Sequence, residues 1–483
     1  MEFFARGLSS TYEAEHVARL FFPRLTMAKR RPGKSSEAVW VTQTKQWLWC
    51  AVRCPQGKAF QKQRYTSETD VEYEVCRMLF SLLRDVTGNT PPWGMLTGVR
   101  PVRLLHDLRK KGMSDEQLDD FFLRRHFVLP EKLALAKEIE QNQAPVRAMT
   151  TPRSVSVYIS IPFCPSRCSY CSFVSRTTEQ SKALMEPYVD CLLLEIAQTA
   201  KLIETLHLKL ETIYIGGGTP TAVTAAQLRR VMQAVKDQFD LSKVREYTVE
   251  AGRPDCTDEE KLGIIYELGA TRISINPQTL SDRVLAAIGR RHTAQDILDC
   301  FAAARRLGHR NINMDLIAGL PQDTVKGFEE SLRGVAALQP ENITVHTLTM
   351  KRASNLVIDG AESPEADVAR MLEACAALAE QDYAPYYLYR QKGTLQNLEN
   401  TGYCKPGFTG LYNVFIMEEL HTILSVGAGG STKLVAPGGH IERIFNFKYP
   451  TEYVNDFARI TEKKEGVNAF YGKYFNLDSE TVG

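Results

Sequence analysis

Three cysteines, Cys164, Cys168 and Cys171, stand on one short stretch of the chain in the spacing CxxxCxxC. Three thiolates so close together can bind three irons of an iron–sulfur cube, and the fourth iron then stays open to a small molecule. Zinc is the alternative, but structural zinc sites recruit a fourth Cys or His from a second short motif, and no such motif follows. We therefore expect a [4Fe-4S] cluster on this loop.

A glycine-rich turn and a carboxylate come next along the chain. Gly217, Gly218 and Thr219 follow the strand-like stretch 212–215, and bare glycine backbone lets a ligand approach N–H and C=O groups. Glu250 ends the stretch 246–251, where its carboxylate could receive an ammonium group. The alternative for Glu250 is an ion pair with Arg253.

Three more polar residues continue this pattern. Gln278 follows a fourth strand-like stretch, Arg290 comes twelve residues later, and Asp315 stands between apolar neighbours. Arg290 suits a bidentate grip on a carboxylate, although an exposed arginine beside Arg291 is the alternative. A buried Asp315 requires a partner, and ribose hydroxyls would serve. With Glu250, these groups fit S-adenosyl-L-methionine (SAM), which carries an ammonium group, a carboxylate and a ribose.

Alternating elements must position these residues. From about residue 155, β-branched runs alternate with amphipathic stretches, which is typical of a parallel sheet covered by helices. The predicted strands are 154–160, 212–215, 246–251, 271–275, 312–317 and 342–346, and the predicted helices are 182–206, 225–239, 258–268, 282–307 and 324–338. We therefore predict an α/β fold with a partial (β/α)6 barrel, whose reactive groups gather at the carboxyl ends of the strands.

The sequence predicts three domains. Residues 1–150 form an N-terminal α+β domain of unknown role, in which strands 39–42 and 46–53 pair and helices span 72–85, 100–111, 114–125 and 131–141. A joint rich in Pro and Arg at 144–153 leads into the barrel core, residues 151–385, which ends with a helix at 364–383. Residues 386–483 are richer in Gly and Tyr and form a smaller C-terminal α+β cap.

Composition restricts the environment and the partners. With 59 Lys and Arg against 57 Asp and Glu, the net charge of +2 provides no global field for nucleic acid, and we expect no nucleic-acid partner. Eleven cysteines are an odd number in a chain too long to need disulfides, which indicates a reducing compartment. No leader pattern or membrane span is recognisable, so we expect a cytoplasmic protein.

The motifs resemble those of radical SAM enzymes, and most closely the oxygen-independent coproporphyrinogen III oxidase family. The resemblance extends from about residue 155 to 349 and continues more weakly through 397–400, 427–431 and 443–446. The N-terminal extension and the segments 92–101 and 350–356 are similar to the Firmicute-type coproporphyrinogen dehydrogenase branch.

This resemblance implies two cofactors, a [4Fe-4S] cluster on the three cysteines and SAM. The positions that align with the family's SAM contacts are Tyr158, Tyr170, Gly217, Gly218, Thr219, Glu250, Gln278, Arg290 and Asp315. Thr349 and Gly430 would correspond to a second SAM or substrate pocket. A one-electron donor such as flavodoxin or ferredoxin is the implied partner.

The implied reaction is the oxygen-independent oxidative decarboxylation of two propionates of coproporphyrinogen III, which yields protoporphyrinogen IX. A tetra-anionic tetrapyrrole substrate needs cationic partners. The candidates for that role are Lys351, Arg352, Arg390 and Lys433.

One departure from the family keeps alternatives open. Decarboxylating members have a fourth cysteine two residues after the third, where this chain has Ser172 and Phe173. Haem chaperones of the family also lack that cysteine. A chaperone would need axial haem ligands, for which His346, His421 or Cys404 are the candidates. A radical SAM reaction on another tetrapyrrole, such as haem ring opening, is the third alternative.

Overall fold

The computed structural model describes residues 1–33, 36–98, 100–173, 175–350, 354 and 367–475. The chain forms two compact units. The first contains residues 1–140 together with 389–399, and the second contains 141–388 and 400–483.

The first unit is built on a five-stranded sheet. Its strands are β1 (Glu2–Arg6), β2 (Thr26–Met27), β3 (Ala38–Gln43), β4 (Trp47–Cys54) and β5 (Gly57–Arg64), in the order β2-β1-β3-β4-β5. Antiparallel pairing of β3 with β4 confirms the predicted hairpin. The sequence reasoning missed β1, β5 and the helix Tyr12–Phe21.

Two helices, Tyr12–Phe21 and Val71–Thr87, share a hydrophobic core with this sheet. The helices that follow along the chain are Pro101–Lys110, Asp115–Asp119 continuing as a π-helical turn Asp120–Arg125, and Pro130–Ala148, which begins in the first unit and ends in the second. The helix Val71–Thr87 begins where the Asp70 carboxylate accepts the Tyr73 N–H, and it ends at Gly88, whose φ of +69° only glycine adopts readily. The helix predicted at 131–141 runs on to Ala148, through Pro145 and into the predicted joint.

The second unit contains the predicted barrel. Its strands are β6 (Ser154–Ile161), β7 (Phe163–Cys164), β8 (Arg176–Thr177), β9 (Lys209–Gly217), β10 (Glu246–Glu250), β11 (Arg272–Ser274), β12 (Ile312–Ala318), β13 (Asn342–Thr347), β14 (Ala384–Arg390), β15 (Glu399–Cys404), β16 (Thr422–Val426), β17 (Ser431–Val435) and β18 (Ile441–Phe445). From β6 through β9, β10, β11 and β12 to β13, neighbouring strands pair in parallel. This confirms the partial (β/α)6 barrel.

Alternation along the strands gives the barrel a polar inner face. In β6, Val155, Val157 and Ile159 are fully buried, whereas Ser156 contacts polar groups of other strands through hydrogen bonds to Thr212 and His421. A strand turns successive side chains to opposite faces. Apolar residues of β6 therefore pack on one face, and the polar side chains of the other face can contribute to a functional site.

The helices of this unit are Thr178–Thr205, Ala225–Gln238, Glu259–Glu267, Asp282–Ala287, Ala294–Arg306, Val325–Ala337, Val368–Glu373 continuing as a 3-10 helix Ala374–Gln381, Leu411–Glu418, Pro450–Asn455 and Ala458–Tyr474. The single helix predicted at 282–307 is therefore wrong. It divides because Gly289 has a φ of +78°, and Thr293 then begins a new helix with its own capping box.

Residues beyond 400 extend the barrel sheet. Strand β16 pairs in parallel with β6 and β15 pairs antiparallel with β13, while β17 and β18 continue from β16. The two compact units thus differ from the predicted ranges 1–150, 151–385 and 386–483. Across the described ranges, none of the helices has the length and apolar character that crossing a membrane requires.

Candidate functional site

The cysteine loop lies directly after β6. Its two ends are tied together because β7, which contains Cys164, pairs in parallel with β8. Inside the loop the N–H of Cys171 donates to the carbonyl of Cys168 at 3.1 Å. All three thiols are free of disulfides, so they are available as ligands.

The state of these thiols suits a metal cluster. Burial raises the pKa of Cys164, and it raises the pKa of Cys171 to about 11. Both are thiols at neutral pH until a metal displaces their protons. Among the residues that the structure describes, no three His, Cys, Asp or Glu side chains converge on a point that would hold a single metal ion.

The glycines after β9 allow a close approach of two loops. A Cβ added at Gly218 would lie 2.6 Å from the Phe163 carbonyl oxygen and 2.9 Å from Cys164 Sγ. Gly217 has a φ of +116°, and a Cβ there would lie 2.9 Å from the backbone nitrogen of Ile161. The turn therefore needs glycine to pack against the cysteine loop. This contact also brings the Thr219 hydroxyl to 3.5 Å from Cys164 Sγ.

A buried arginine approaches the second cysteine. Arg253 Nη1 lies 3.8 Å from Cys168 Sγ and donates to the Ser166 carbonyl at 2.9 Å. The same guanidinium binds both carboxylate oxygens of Asp255, at 3.0 and 2.8 Å. The alternative pairing of Arg253 with Glu250 is therefore wrong. Burial would raise the pKa of Asp255, but His292 and Arg253 outweigh burial and hold that pKa well below its usual range.

Glu250 lies at the carboxyl end of β10 beside two tyrosines. Its Oε1 accepts the hydroxyl of Tyr214 at 2.7 Å, and the Tyr214 ring stacks on that of Tyr158 with centroids 5.9 Å apart. Burial raises the pKa of Glu250 to about 7, because the tyrosine hydrogen bond offsets only part of the desolvation. A cationic group beside this carboxylate would favour its ionised form.

A residue that the sequence reasoning missed completes this aromatic wall. Tyr412 stacks on Tyr214 with centroids 4.5 Å apart. It stands at the start of the helix Leu411–Glu418, whose first two N–H groups, of Leu411 and Tyr412, donate to Glu246 at 2.9 and 3.0 Å. Glu246 therefore fixes this helix to β10. Nothing near position 412 in the sequence indicates that contact, because its partners are about 165 residues away.

Gln278, four residues beyond the end of β11, meets Asp315 on β12. The N–H of Gln278 donates to the Asp315 carbonyl at 2.8 Å, and the Gln278 backbone has a φ of +68°. The Asp315 carboxylate accepts from Asn313 Nδ2 at 2.7 Å and lies 3.6 Å from His346 Nε2. Burial would raise the pKa of Asp315, but His346, Asn313 and Thr344 outweigh it and hold the pKa below its ordinary value. The carboxylate is therefore a charged acceptor.

Arg290 stands in the break between two helices and is buried, so the exposed alternative is wrong. Its Nη1 donates to the Asn276 carbonyl at 2.8 Å, and its Nη2 lies 3.3 Å from the Tyr170 hydroxyl in the cysteine loop. Two buried polar atoms here, Arg290 Nε and Asn276 Oδ1, have no hydrogen-bond partner within the described ranges. Such atoms are costly to bury unless a ligand satisfies them.

The predicted residues thus form two linked groups. Thr219 and Arg290 reach the cysteine loop, at Cys164 and Tyr170. The others lie on or just after neighbouring strands, from β6 to β12: Tyr158, Gly217, Gly218, Glu250, Gln278 and Asp315. Three free thiols, a turn that only glycine can form, and unsatisfied polar atoms beside a buried arginine fit a cluster with a bound SAM.

The glycine turn around Gly430 is held beside β6. The Ser160 hydroxyl donates to the Ala428 carbonyl at 2.8 Å. The buried carboxylate of Glu195 accepts the N–H of Gly427 at 2.7 Å and the hydroxyl of Tyr453 at 2.6 Å. Glu195, which the sequence reasoning did not identify, therefore fixes the turn. Thr349, the other residue predicted for a second pocket, is half-buried just beyond β13.

Two proposed substrate contacts have other roles. Arg390 is buried, and its Nη1 donates to the Leu96 carbonyl at 2.7 Å within the first unit. Lys433 Nζ lies 3.2 Å from a Glu419 carboxylate oxygen. Both charges are therefore already engaged by the protein. Lys351 and Arg352 lie outside the described residues.

The candidate haem ligands are also engaged. His421 is buried, with its Nε2 2.8 Å from the Ser156 hydroxyl, and burial lowers its pKa to about 3. Cys404 is 6% exposed and contacts the Thr409 hydroxyl. His346 lies beside Asp315. Neither His421 nor Cys404 is accessible to a haem iron.

Known proteins resemble this chain in sequence and fold. A sequence profile of the radical SAM superfamily matches residues 158–335. The oxygen-independent coproporphyrinogen-III oxidase-like protein HemZ of Bacillus subtilis is 40% identical over 402 residues, which cover 82% of this chain and 80% of that protein. The heme chaperone HemW of the same organism is 39% identical over 200 residues, 41% of this chain and 51% of the chaperone.

A solved structure shares the fold. The coproporphyrinogen III oxidase HemN of Escherichia coli, a radical SAM enzyme, superposes with a TM-score of 0.52 and 23% identity, covering 67% of this chain and 73% of HemN. Membership of the superfamily brings a [4Fe-4S] cluster and SAM as cofactors. From the cysteine loop, the partial barrel and these similarities together, the chain belongs to the oxygen-independent coproporphyrinogen III oxidase-like family of radical SAM proteins.

Proposed function

We propose that this chain is a radical SAM oxidoreductase that decarboxylates two propionates of coproporphyrinogen III without oxygen. The observation that carries the radical SAM part of the proposal is the group of charged side chains at the barrel mouth, Glu250, Arg290 and Asp315. When bound, the iron–sulfur cluster and SAM would supply a one-electron cleavage of SAM. This cleavage produces a carbon radical that can take hydrogen from an unactivated C–H bond.

The charges of the site match those of SAM. Glu250 would receive the ammonium group, Arg290 would bind the carboxylate through its unsatisfied Nε, and Asp315 would accept ribose hydroxyls. Cys164, Cys168 and Cys171 would hold the cluster. Each of these residues binds or orients, and none needs to donate a proton.

The tyrosines would control water and protonation. Tyr158, Tyr214 and Tyr412 stack beside Glu250, so the carboxylate has little contact with solvent. With a pKa of about 7, Glu250 holds its proton part of the time in the free protein. A bound ammonium group would displace that proton, because opposite charges favour the ionised form.

The choice of coproporphyrinogen III as the substrate rests on sequence similarity to HemZ. Similarity to the oxidase-like HemZ covers 82% of this chain, whereas similarity to the chaperone HemW covers 41%. Overall, each propionate would lose CO2, pass one hydrogen atom to the 5′-deoxyadenosyl group and one electron to a one-electron acceptor, and so become a vinyl group. The electron donor would be a flavodoxin or a ferredoxin.

The test is turnover of the anaerobically reconstituted protein with SAM, a reductant and coproporphyrinogen III. We expect 5′-deoxyadenosine, CO2 and vinyl product in matched amounts, as measured by chromatography and mass spectrometry. Glu250→Gln is the paired variant and should lose all three products together. SAM cleavage without vinyl product or CO2 would contradict the choice of substrate.

A haem chaperone is the second candidate, favoured by the match to HemW and by Ser172 and Phe173 after the third cysteine. The chaperone is disfavoured because His421 and Cys404, two of the candidate haem ligands, contact Ser156 and Thr409 inside the protein. Hemin added to the same reconstituted protein distinguishes the two. A tight Soret shift, together with absence of vinyl product, would replace the proposal by the chaperone.

A further inference from the structure

The near-neutral charge of the whole chain conceals an uneven distribution. Residues 1–65 contain twelve Lys and Arg but four Asp and Glu, although the full chain has 59 against 57. This region includes the whole five-stranded sheet of the first unit, β1 to β5. A basic region of this kind attracts anions even when the net charge of the protein does not.

The sheet buries one face and leaves the other open. In β4, Leu48, Cys50 and Val52 are buried, and the alternate residues point the other way. In β5, exposed residues alternate with half-buried ones along the whole strand. We call this second surface the basic face, and it is formed by Trp40, Trp47, Trp49, Ala51, Arg53, Lys58, Phe60, Lys62 and Arg64.

Aromatic rings interleave with cations on the basic face. Three of the four tryptophans of the chain lie on it, and Trp49 is 38% and Phe60 68% exposed. Across β4 and β5 the register sets Trp49 opposite Lys62 and Trp47 opposite Arg64. A large aromatic side chain gains free energy when it is buried. Several such side chains left exposed on one surface therefore indicate that the surface binds a partner.

Two cations of the basic face, Arg53 and Lys62, contact aromatic rings rather than carboxylates. Lys62 Nζ lies 5.1 Å from the Trp47 ring centroid and 5.4 Å from that of Trp49, and the Arg53 guanidinium lies 5.6 Å from that of Trp40. Within the ranges described, no carboxylate forms an ion pair with Arg53, Lys58 or Lys62. The exposed charges of Lys58 and Lys62 are therefore available to an anionic partner.

We propose that the basic face binds single-stranded nucleic acid. Bases stack on exposed aromatic rings irrespective of sequence, while Lys and Arg between the rings neutralise the phosphates. A small anion is a poorer match, because small-molecule sites are concave and this surface is an open sheet face. An acidic protein is also a poorer match, since protein interfaces are depleted in lysine.

The proposal differs from the expectation drawn from the whole-chain charge and gives the N-terminal unit a role. It does not depend on the cysteine loop or on the reaction at the barrel mouth. The aromatic rings would supply stacking and the cations a salt-dependent affinity, so each contribution can be removed separately.

Binding is measured with the full, cluster-loaded chain and fluorescent oligo(U) or oligo(dT) of about 12 nucleotides, within the usual range of site sizes. We expect binding at about 50 mM salt that weakens steeply towards about 200 mM, with quenching of tryptophan fluorescence. Tighter binding of oligo(U) identifies RNA, and equal binding identifies single strands in general. Either result supports the proposal.

Two double variants and their controls separate the contributions. Trp49→Ala with Phe60→Ala should weaken binding at least fivefold at both salt concentrations, since one stacked base contributes at least that factor. Lys58→Glu with Lys62→Glu should reduce the slope of log affinity against log salt by about 1.4, because each phosphate contact contributes about 0.7. The controls in the second unit are Tyr266→Ala, and Lys182→Glu with Lys236→Glu, which should bind normally.

Several results would overturn the proposal. These are no binding of either oligonucleotide at low salt, unchanged binding by both double variants, or equal loss in the control variants. Polyglutamate with the same charge as the oligonucleotides represents an acidic protein partner and is tested as a competitor. If it binds as tightly as the oligonucleotides, the stacking contribution is absent and the proposal is wrong. Far-ultraviolet circular dichroism of each variant verifies that the fold is retained.

Discussion

The barrel mouth and the basic face use similar side chains in opposite ways. At the barrel mouth, the guanidinium groups of Arg253 and Arg290 are buried, Arg253 is paired with Asp255, and tyrosine rings stack on one another. On the basic face, Lys62 lies over the half-buried ring of Trp47 and the exposed ring of Trp49. A buried charge is stable only with a fixed partner, which suits one rigid ligand. Exposed charges cost little and suit a long, flexible partner. The difference is between a site shaped for one molecule and a surface open to many.

The largest expected effect lies in the cysteine loop. Cys168→Ala should abolish the brown chromophore, the bound iron and SAM cleavage, because two thiolates on this loop cannot hold the cluster. Iron analysis and the visible absorption spectrum measure it. Cys191→Ala, on the helix Thr178–Thr205, is the matched control and should load normally. A chromophore that persists in Cys168→Ala would show that the cluster is held elsewhere.

Loss of the Glu250 carboxylate should come next. Glu250→Gln should weaken SAM binding about 10- to 150-fold, since a hydrogen bond to a charged group contributes about 1.5–3 kcal/mol. Anaerobic equilibrium dialysis measures the affinity. An affinity within twofold of the wild type would remove Glu250 from the site.

The same residue gives a pH dependence. With a pKa of about 7, Glu250 is mostly ionised at pH 8 and mostly protonated at pH 6, so wild-type affinity for SAM should fall about tenfold between them. The carboxyl must lose its proton to pair with an ammonium group, which sets the direction. Glu250→Gln should show a flat profile over this interval, and an equally steep profile in the variant would assign the titration to another group.

The charge beside the second cysteine should have a smaller, measurable effect. Arg253→Gln removes a cation 3.8 Å from Cys168 Sγ, and hydrogen bonds and charge near the sulfurs set the potential of such clusters. The midpoint potential in a redox titration followed by electron paramagnetic resonance should become more negative. Arg253→Lys should restore part of the shift, and the exposed Arg291→Gln should leave the potential unchanged. A potential that does not move in Arg253→Gln would make the residue merely structural.

The smallest effect tests the basic face itself. Arg53 and Lys58 stand directly opposite each other on β4 and β5, and like charges in that position destabilise a sheet. Lys58→Glu should therefore raise the free energy of unfolding by about 0.2–1 kcal/mol, as measured by urea denaturation. Lys58→Gln, which only removes the repulsion, should give a smaller gain. A loss of stability in Lys58→Glu would mean that this cation is part of the fold rather than of a binding surface.

The sequence predicted the barrel strands well because parallel strands buried on both faces read as apolar runs. It also predicted Glu250 at the end of one strand, Gln278 after the next and Asp315 within the one that follows, which is a local pattern. It failed where a contact joins distant positions, as between Glu246 and Tyr412. Arg290 was placed inside one long helix because its periodicity continues, and only the backbone of Gly289 shows the break.

The N-terminal unit was predicted less well. Its first strand has only three apolar residues between Glu2 and Arg6, and its edge strand β5 contains Lys58, Lys62 and Arg64 on one face, so neither reads as a buried run. The distribution of charge was also overlooked, because opposite charges elsewhere in the chain cancel it in the total. A regional count would have found it without a structure.

The segment 389–399 has a consequence for the order in which the molecule is made. It belongs to the first unit, where Glu399 accepts Trp93 Nε1 at 2.7 Å and pairs with Lys132 at 2.5 Å. At about 5–20 residues per second, a ribosome needs roughly 12–50 s to synthesise the stretch between residue 140 and this segment. During that time Trp93 and Lys132 lack their shared partner. The N-terminal unit is therefore synthesised first, but its contacts with Glu399 can form only after most of the chain has been made.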